Sequence, residues 1–224
     1  RNVARGILER VDSSEWAAPI VPIRKATGRV RICGDFKVTV NAQMVVDQHP
    51  IPSIDELLTR LNNGEKFSKL DLTDAYLQIE LDESSKQLMV INTPLGLFRF
   101  NRMPFGIANA PAIFQRTMDQ VLAGIPNCMV YLDDILVTGK DEEEHLHTLD
   151  RVLSKLAEFG FRCNKEKCVF FQDQVLYLGY IVNRHGKQPD PERVQAIHKL
   201  PTPKDVKQVE AFIGKVNYYN KFIP

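Results

Sequence analysis

The apolar positions of this chain switch repeatedly between a period of two and a period of three to four. "APIVPI" (18–23) and "GRVRICGDF" (28–36) read as two short strands joined by a turn at Thr27 and Gly28. "QHPIPSIDELLTRL" (48–61) starts extended and Pro-rich, then becomes a helix. Ser53 caps it, Glu56 completes a capping box, and Ile54, Leu57, Leu58 and Leu61 form its apolar stripe. Asn62, Asn63 and Gly64 end it. In "FSKLDL" (67–72), Leu70 and Leu72 share one face of a strand while Lys69 and Asp71 share the other.

"KQLMVINTP" (86–94) and "GLFRFNRMP" (96–104) predict two more strands. "ANAPAIFQRTMDQVLAG" (108–124) is helical, with Ile113, Phe114, Met118, Val121 and Leu122 on one side and Gly124 as terminator. "CMVYL" and "ILVTG" are strands flanking Asp133 and Asp134, so these carboxylates sit at a hairpin tip. A helix covers "DEEEHLHTLDRVLSKLAEFG" (141–160), acidic at its positive N-terminal end and closed by Gly160. "KCVFFQDQVLYLGYIV" (167–182) gives two last strands. Beyond Pro189 the chain is Pro-rich and helical, ending in "VEAFIGKVNYYNKFI". The order strand, helix, two strands, helix, hairpin, helix, strands predicts an α+β fold around an antiparallel sheet.

Composition changes this little. The 224 residues, 44% hydrophobic and 25% charged, are those of an ordinary globular chain. No apolar run approaches the ~20 residues that cross a bilayer, so no membrane association is expected. The first residues carry no signal peptide, and a start at Arg1 suggests a piece of something longer. Cys33, Cys128, Cys163 and Cys168 have neither disulfide-framework nor zinc-finger spacing and read as reduced thiols of an intracellular protein. His145 and His147 lie on different faces of their helix, which argues against a metal pair.

Charge is distributed unevenly. Positions 24–37 carry five bases and one acid, and 184–221 carry eight bases and four acids. Two basic ends around a carboxylate-bearing centre are what a phosphate-binding cleft requires, although on charge alone solvated surface is the favoured reading.

The chemistry lies in "MVYLDDILV" (129–137), where adjacent acids interrupt a β-forming run with no base between 129 and 139. Two unit charges about 4 Å apart repel by about 4 kcal/mol at an effective dielectric of 20. A solvated polar turn is one explanation. Asp71, however, ends another strand, followed by Asp74 in "LDLTDAY". A same-face ion pair with Lys69 accounts for Asp71 alone; convergence on hard divalent cations accounts for all three acids.

"FSKLDLTDAYLQIEL", "MPFGIANAPAIFQ" and "YLDDILV" occur in the order and spacing of a reverse transcriptase palm. With "MPFG", "GFRCNKEKCVFF" and "VLYLGYIV", the chain resembles the polymerase of a gypsy-like long-terminal-repeat retrotransposon, nearly end to end. The resemblance implies a right-hand polymerase fold: fingers at 1–45 and 79–107, palm at 46–78 and 108–183, and the start of a thumb at 184–224.

It also implies site roles. Asp71 and Asp133 hold two Mg²⁺ ions (Mn²⁺ as substitute), with Asp134 and the Leu72 carbonyl assisting. Lys25 or Arg24, with Arg31, clamps the deoxynucleoside triphosphate, which the backbone at Asp74 and Ala75 contacts. Tyr76 is the steric gate against a ribose 2′-hydroxyl. Phe105 and Gly106 close the nucleotide pocket, with Phe105 standing where retroviral enzymes carry Gln. Lys167 protonates the pyrophosphate. Leu178, Gly179 and Tyr180 form a primer grip, and Lys215, Asn217, Tyr218 and Lys221 contact the template–primer duplex from the thumb. The expected partners are an RNA or DNA template with its primer and the rest of a Pol polyprotein (protease, ribonuclease H, integrase). The expected location is a cytoplasmic retroelement particle with access to the nucleus. Two other readings compete: a catalytically silent, domesticated remnant that binds nucleic acid or protein, and a two-metal nuclease, which the order of the palm motifs disfavours.

Overall fold

The computed structural model describes residues 2–24, 28, 30–53, 56, 59 and 64–219, and of Arg31 the backbone alone. Its strands are β1 (Leu8–Val11), β2 (Ala18–Arg24), β3 (Val30–Gly34), β4 (Lys66–Asp71), β5 (Val90–Thr93), β6 (Gly96–Phe100), β7 (Cys128–Tyr131), β8 (Asp134–Gly139), β9 (Val169–Gln172), β10 (Gln174–Tyr177), β11 (Tyr180–Asn183) and β12 (Gly186–Pro189). Its helices are α1 (Glu83–Leu88), α2 (Ala110–Val121), α3 (Glu142–Glu158), α4 (Pro191–His198) and α5 (Val206–Asn217).

Three sheets result. A five-stranded sheet runs β1-β6-β5-β2-β3, antiparallel except for the β2–β5 pair. A four-stranded antiparallel sheet runs β7-β8-β4-β9, and a three-stranded meander runs β10-β11-β12.

The inner strands β4 and β8 of the four-stranded sheet are buried on both faces, which explains why β8 reads as an unbroken apolar run, while the edge strand β9 is exposed. On one side Leu70, Ile135, Val137 and Val130 pack with Phe114 and Met118 of α2 and Leu149, Val152 and Leu156 of α3. That core continues through Ile91, Phe100 and Phe36 into the five-stranded sheet. On the other side Phe67, Met129 and Leu136 meet Val175, Tyr177, Tyr180 and Val182 of the meander and Tyr219 beyond α5.

Local chemistry sets the boundaries. Asp141, Asp190 and Asp205 cap α3, α4 and α5 by accepting from backbone N–H groups. The capping box expected at Ser53 is present: the Ser53 N–H donates to Glu56 at 2.8 Å and the Glu56 N–H to Ser53 Oγ at 3.2 Å. The stripe Ile54, Leu57, Leu58 and Leu61 and the stop at Asn62 and Asn63 lie outside the described residues.

Two expectations are corrected. The strand expected at 86–94 begins only at Val90, because Asp82 accepts from Ser85 N at 2.7 Å and starts α1 instead. The two strands expected at 167–182 are three. Asp173 separates β9 from β10, and Leu178 and Gly179, at φ +48° and +80°, turn β10 back into β11. The chain also forms β1 and β12, neither of which its alternation announces.

Candidate active site

Asp71 is the last residue of β4 and stands opposite Asp134, the first residue of β8. Opposed residues of an antiparallel ladder project to the same face, so these two carboxylates are neighbours. Leu132 and Asp133 form the two-residue turn between β7 and β8, with Tyr131 opposite Asp134. The Leu72 N–H donates to the Asp133 carbonyl at 3.2 Å, tying the end of β4 to the turn. Asp71 therefore lies on the same side of the sheet as the hairpin acids.

The hairpin is strained and braced. Leu132 sits at φ +55°, a conformation that costs a β-carbon residue about 1–2 kcal/mol. Gln115, fully buried in α2, compensates: Leu132 N–H donates to its Oε1 at 2.9 Å, and its Nε2 donates to the Val130 carbonyl at 3.1 Å. From the opposite face the buried Tyr177 hydroxyl donates to the Asp134 carbonyl at 3.3 Å. Burial and the nearby Asp134 push that phenol well above the ordinary tyrosine range.

Two lysines from elsewhere answer the acids. Lys167 Nζ lies 3.2 and 3.0 Å from the two carboxylate oxygens of Asp71. Lys69 Nζ lies 3.0 Å from Asp134. The alternative reading of Asp71 as the partner of Lys69 does not hold: Lys69 pairs with Asp134, its side chain reaching diagonally across the ladder, and Asp71 pairs with Lys167. Burial first, then the charges of Asp134 and Asp71, hold the Asp133 carboxyl above its usual range, with Lys167 opposing. Beneath Asp71, the Cys168 sulfur accepts its N–H at 3.4 Å. The neighbouring Cys163 thiol is pushed up to about 11, by burial first and then by Cys168 and Asp71. All four cysteines are free.

Among the described residues no three acidic, histidine or cysteine side chains form a ready-made metal cage. The donors present are the neighbouring carboxylate oxygens of Asp71, Asp133 and Asp134, which suit a hard cation. Mg²⁺ in particular takes one or two carboxylates and completes its shell with water and phosphate.

Around the acids, Asp74 has φ +47° and pairs with Arg5 at 3.3 Å. Ala75 is buried behind it. The Tyr76 ring lies 5.3 Å from that of Phe105 and 5.5 Å from that of Phe114. Burial, then the charges of Asp133 and Tyr131, raise its phenol pKa. Gly106 has φ +94°, and a β-carbon there would stand 3.0 Å from the Gly34 carbonyl. Asn41 pins the same loop, donating to the Gly106 carbonyl at 2.8 Å and accepting from Ala108 N at 2.9 Å.

Leu178, Gly179 and Tyr180 meet the end of α5. The Tyr218 hydroxyl donates to the Leu178 carbonyl, the Tyr219 hydroxyl to the Gly179 carbonyl at 2.9 Å, and Tyr180 to the Tyr218 carbonyl at 2.9 Å. The Tyr180 and Tyr218 rings stack at 5.5 Å. Lys215 and Asn217 are exposed on α5. Lys25, Lys221 and the Arg31 side chain lie outside the described residues.

The sequence reading missed Gln115, Tyr177, Cys168 and Asn41. Gln115 alone left a signal: a polar residue between Phe114 and Met118 on the apolar side of its helix.

A protein of this architecture, with acids at a strand end and a facing hairpin, falls among the nucleic-acid polymerases. Residues 23–182 match the family model described as reverse transcriptase (RNA-dependent DNA polymerase), and the chain belongs to that family of nucleotidyltransferases. An uncharacterized Caenorhabditis elegans protein, K02A2.6, is 41% identical over 97% of this chain and 17% of its own length. The Drosophila melanogaster Pol polyproteins of transposons 297 and gypsy are 37% and 38% identical, over 95% and 86% of this chain. The chain spans about a fifth of these polyproteins, 20% and 19%. Among solved structures, the foamy viral protease–reverse transcriptase bound to double-stranded DNA superposes with a TM-score of 0.90 at 24% identity, over 97% of this chain and 38% of that one. The same enzyme with an RNA/DNA hybrid gives 0.85, over 97% and 29%. The fold is therefore the polymerase fold of these enzymes. The family is generally dependent on divalent metal ions.

Proposed function

We propose that this chain is the polymerase core of a retrotransposon Pol polyprotein and extends a primer 3′-hydroxyl with deoxynucleotides on an RNA or DNA template. The observation that carries the reading is the register match of Asp71 with Asp134, beside a turn that adds Asp133. Asp71 and Asp133 would hold two Mg²⁺ ions, aided by Asp134 and by the carbonyl of Leu72, the residue whose N–H already bonds the turn. When bound, the ions supply activation of the hydroxyl and charge neutralisation at the leaving oxygen.

The remaining work falls to the chain itself. Lys167 guards the Asp71 carboxylate before metal loading. Its ammonium is placed to donate a proton to the pyrophosphate oxygen as the bond from that oxygen to the α-phosphorus breaks, while the primer 3′-oxygen gives up its proton to water and bonds to the same phosphorus. Arg31 and Lys25 clamp the triphosphate, with the backbone of Asp74 and Ala75 beneath it. The Tyr76 ring, wedged between Phe105 and Phe114, presents a fixed edge to the sugar, and the Gly106 turn closes the pocket. Leu178, Gly179 and Tyr180, held by Tyr218 and Tyr219, grip the primer end, while Lys215 and Asn217 face the duplex. In this reading residues 1–45 and 79–107 are fingers, 46–78 and 108–183 palm, and 184–224 the base of a thumb.

The test is extension of an oligo-dT primer on poly-rA with dTTP and Mg²⁺, with Asp133→Asn in parallel. Extension by the wild type, abolished in the variant, is the expected outcome. Retained template binding without synthesis by either protein refutes the reading and favours a silent binding module.

A further inference from the structure

Gln115 is bonded at both ends of its amide. Its Oε1 accepts from Leu132 N–H, and its Nε2 hydrogens go to the Val130 carbonyl and to Asp119 Oδ1 at 2.9 Å. The other Asp119 oxygen, Oδ2, is 2.9 Å from His49 Nε2. His49 is fixed in turn: its N–H donates to Asp47 at 3.0 Å, and Asp47 pairs with Arg116 one turn back on the same helix. A chain of contacts therefore runs from the 47–49 segment through Asp119 to Gln115, and from there to the strained residue preceding Asp133.

A primary amide can be placed either way round, and its two ends look alike in size. The environment of Gln115 selects one orientation. Val130 and Asp119 offer only acceptors, so Nε2 must face them, and Oε1 is left for the Leu132 N–H. Without the carboxylate at 119 that choice rests on the Val130 carbonyl and the Leu132 N–H alone. A reversed amide would turn an N–H toward the Leu132 N–H and push the turn away.

We propose that Asp119, steadied by His49, is a positioning residue for the catalytic hairpin, acting through the orientation it imposes on Gln115. The inference rests on the polymerase reading of the site, and half of its test does not need activity.

Gln115→Glu places an acceptor against two acceptors. With His49 Nε2 carrying the proton and holding the one remaining oxygen, Asp119→Asn places a donor against the Gln115 donor. Each single variant should lower kcat for primer extension by about 10- to 100-fold, with KM for the template within about twofold. The double substitution restores the match toward position 119: the introduced amide there donates to the introduced carboxylate at position 115, which still accepts from Leu132, while the Val130 carbonyl is left facing an acceptor. Gln115→Glu combined with Asp119→Asn should therefore recover about tenfold over Gln115→Glu, a strongly non-additive cycle. In parallel, hydrogen exchange of the Leu132 amide should speed up in both single variants and slow again in the double, at unchanged global melting temperature.

Additive losses in both readouts overturn the proposal, as does unaltered exchange of the Leu132 amide in the single variants. If the wild type extends no primer, the polymerase reading fails and the exchange pattern alone decides whether Asp119 sets the hairpin.

Discussion

Lys69→Met tests the charge balance of the site directly. The ammonium stands 3.0 Å from Asp134, with the two side chains 23% and 25% exposed. At that separation the attraction is about 5 kcal/mol at an effective dielectric of 20. Solvent screening and the cost of desolvating both groups reduce the net loss to about 1–2 kcal/mol. Met keeps most of the aliphatic stem in place, so packing changes little. For a chain of this size the loss corresponds to a melting temperature lower by about 2–8 °C.

The assay is thermal denaturation in chelator and across a Mg²⁺ titration, for wild type, Lys69→Met, Asp134→Asn and the double variant. In chelator, Lys69→Met should melt earliest, because Asp134 then faces Asp71 and Asp133 with no counter-charge of its own. Magnesium should raise its midpoint more than that of the wild type, since the ion no longer competes with an ammonium. Removing Asp134 as well should cancel most of the penalty. Equal magnesium increments in wild type and Lys69→Met, or a double variant no better than Lys69→Met, would refute this account of the acids.

Two further outcomes follow from the geometry. Tyr76→Ala removes a ring packed on Phe105 and Phe114. The ratio of kcat/KM for deoxynucleotides over ribonucleotides should then fall by about 10- to 100-fold, a size typical of relieved steric clash; an unchanged ratio in single-nucleotide insertion would exclude the ring as the gate. His145 is buried, bonded through Nε2 to Ser68 at 2.7 Å, and its Nδ1 has no hydrogen-bond partner among the described residues. Burial, aided by Lys66, lowers its pKa from 6.5. The unfolded state thus binds the proton more readily, so stability is full above about 6.5 and is lost as pH falls toward the folded value. Chemical denaturation from pH 8 to 5 should show that loss, and His145→Leu should flatten it.

Much of the site was legible because β-structure writes its faces into the sequence at period two. Leu70 and Leu72 against Lys69 and Asp71 fixed which way the first acid points, and the apolar runs around Asp133 and Asp134 marked a hairpin. Partners across the ladder were not legible, because register depends on pairing between distant strands. Hence the sequence offered Asp71 as the alternative partner for Lys69 and gave no sign of Asp134, with which it pairs. The 167–182 stretch reads as two strands because its apolar run hides two breaks, Asp173 and the positive-φ pair at 178 and 179. β1 and α1 are short, and α1 owes its place to the Asp82 cap rather than to an apolar stripe. Gln115 was visible only as an oddity, since its meaning lies in Val130, Leu132 and Asp119.

The strands that carry the acids have no outer side: helices cover one surface of β4 and β8, and the meander covers the other. Such a sandwich leaves the carboxylates no soft layer in which to lose their arrangement early. Loss of function on warming should therefore coincide with collapse of the entire domain, and lineages of this element should drift freely at the rim while the middle strands stay frozen.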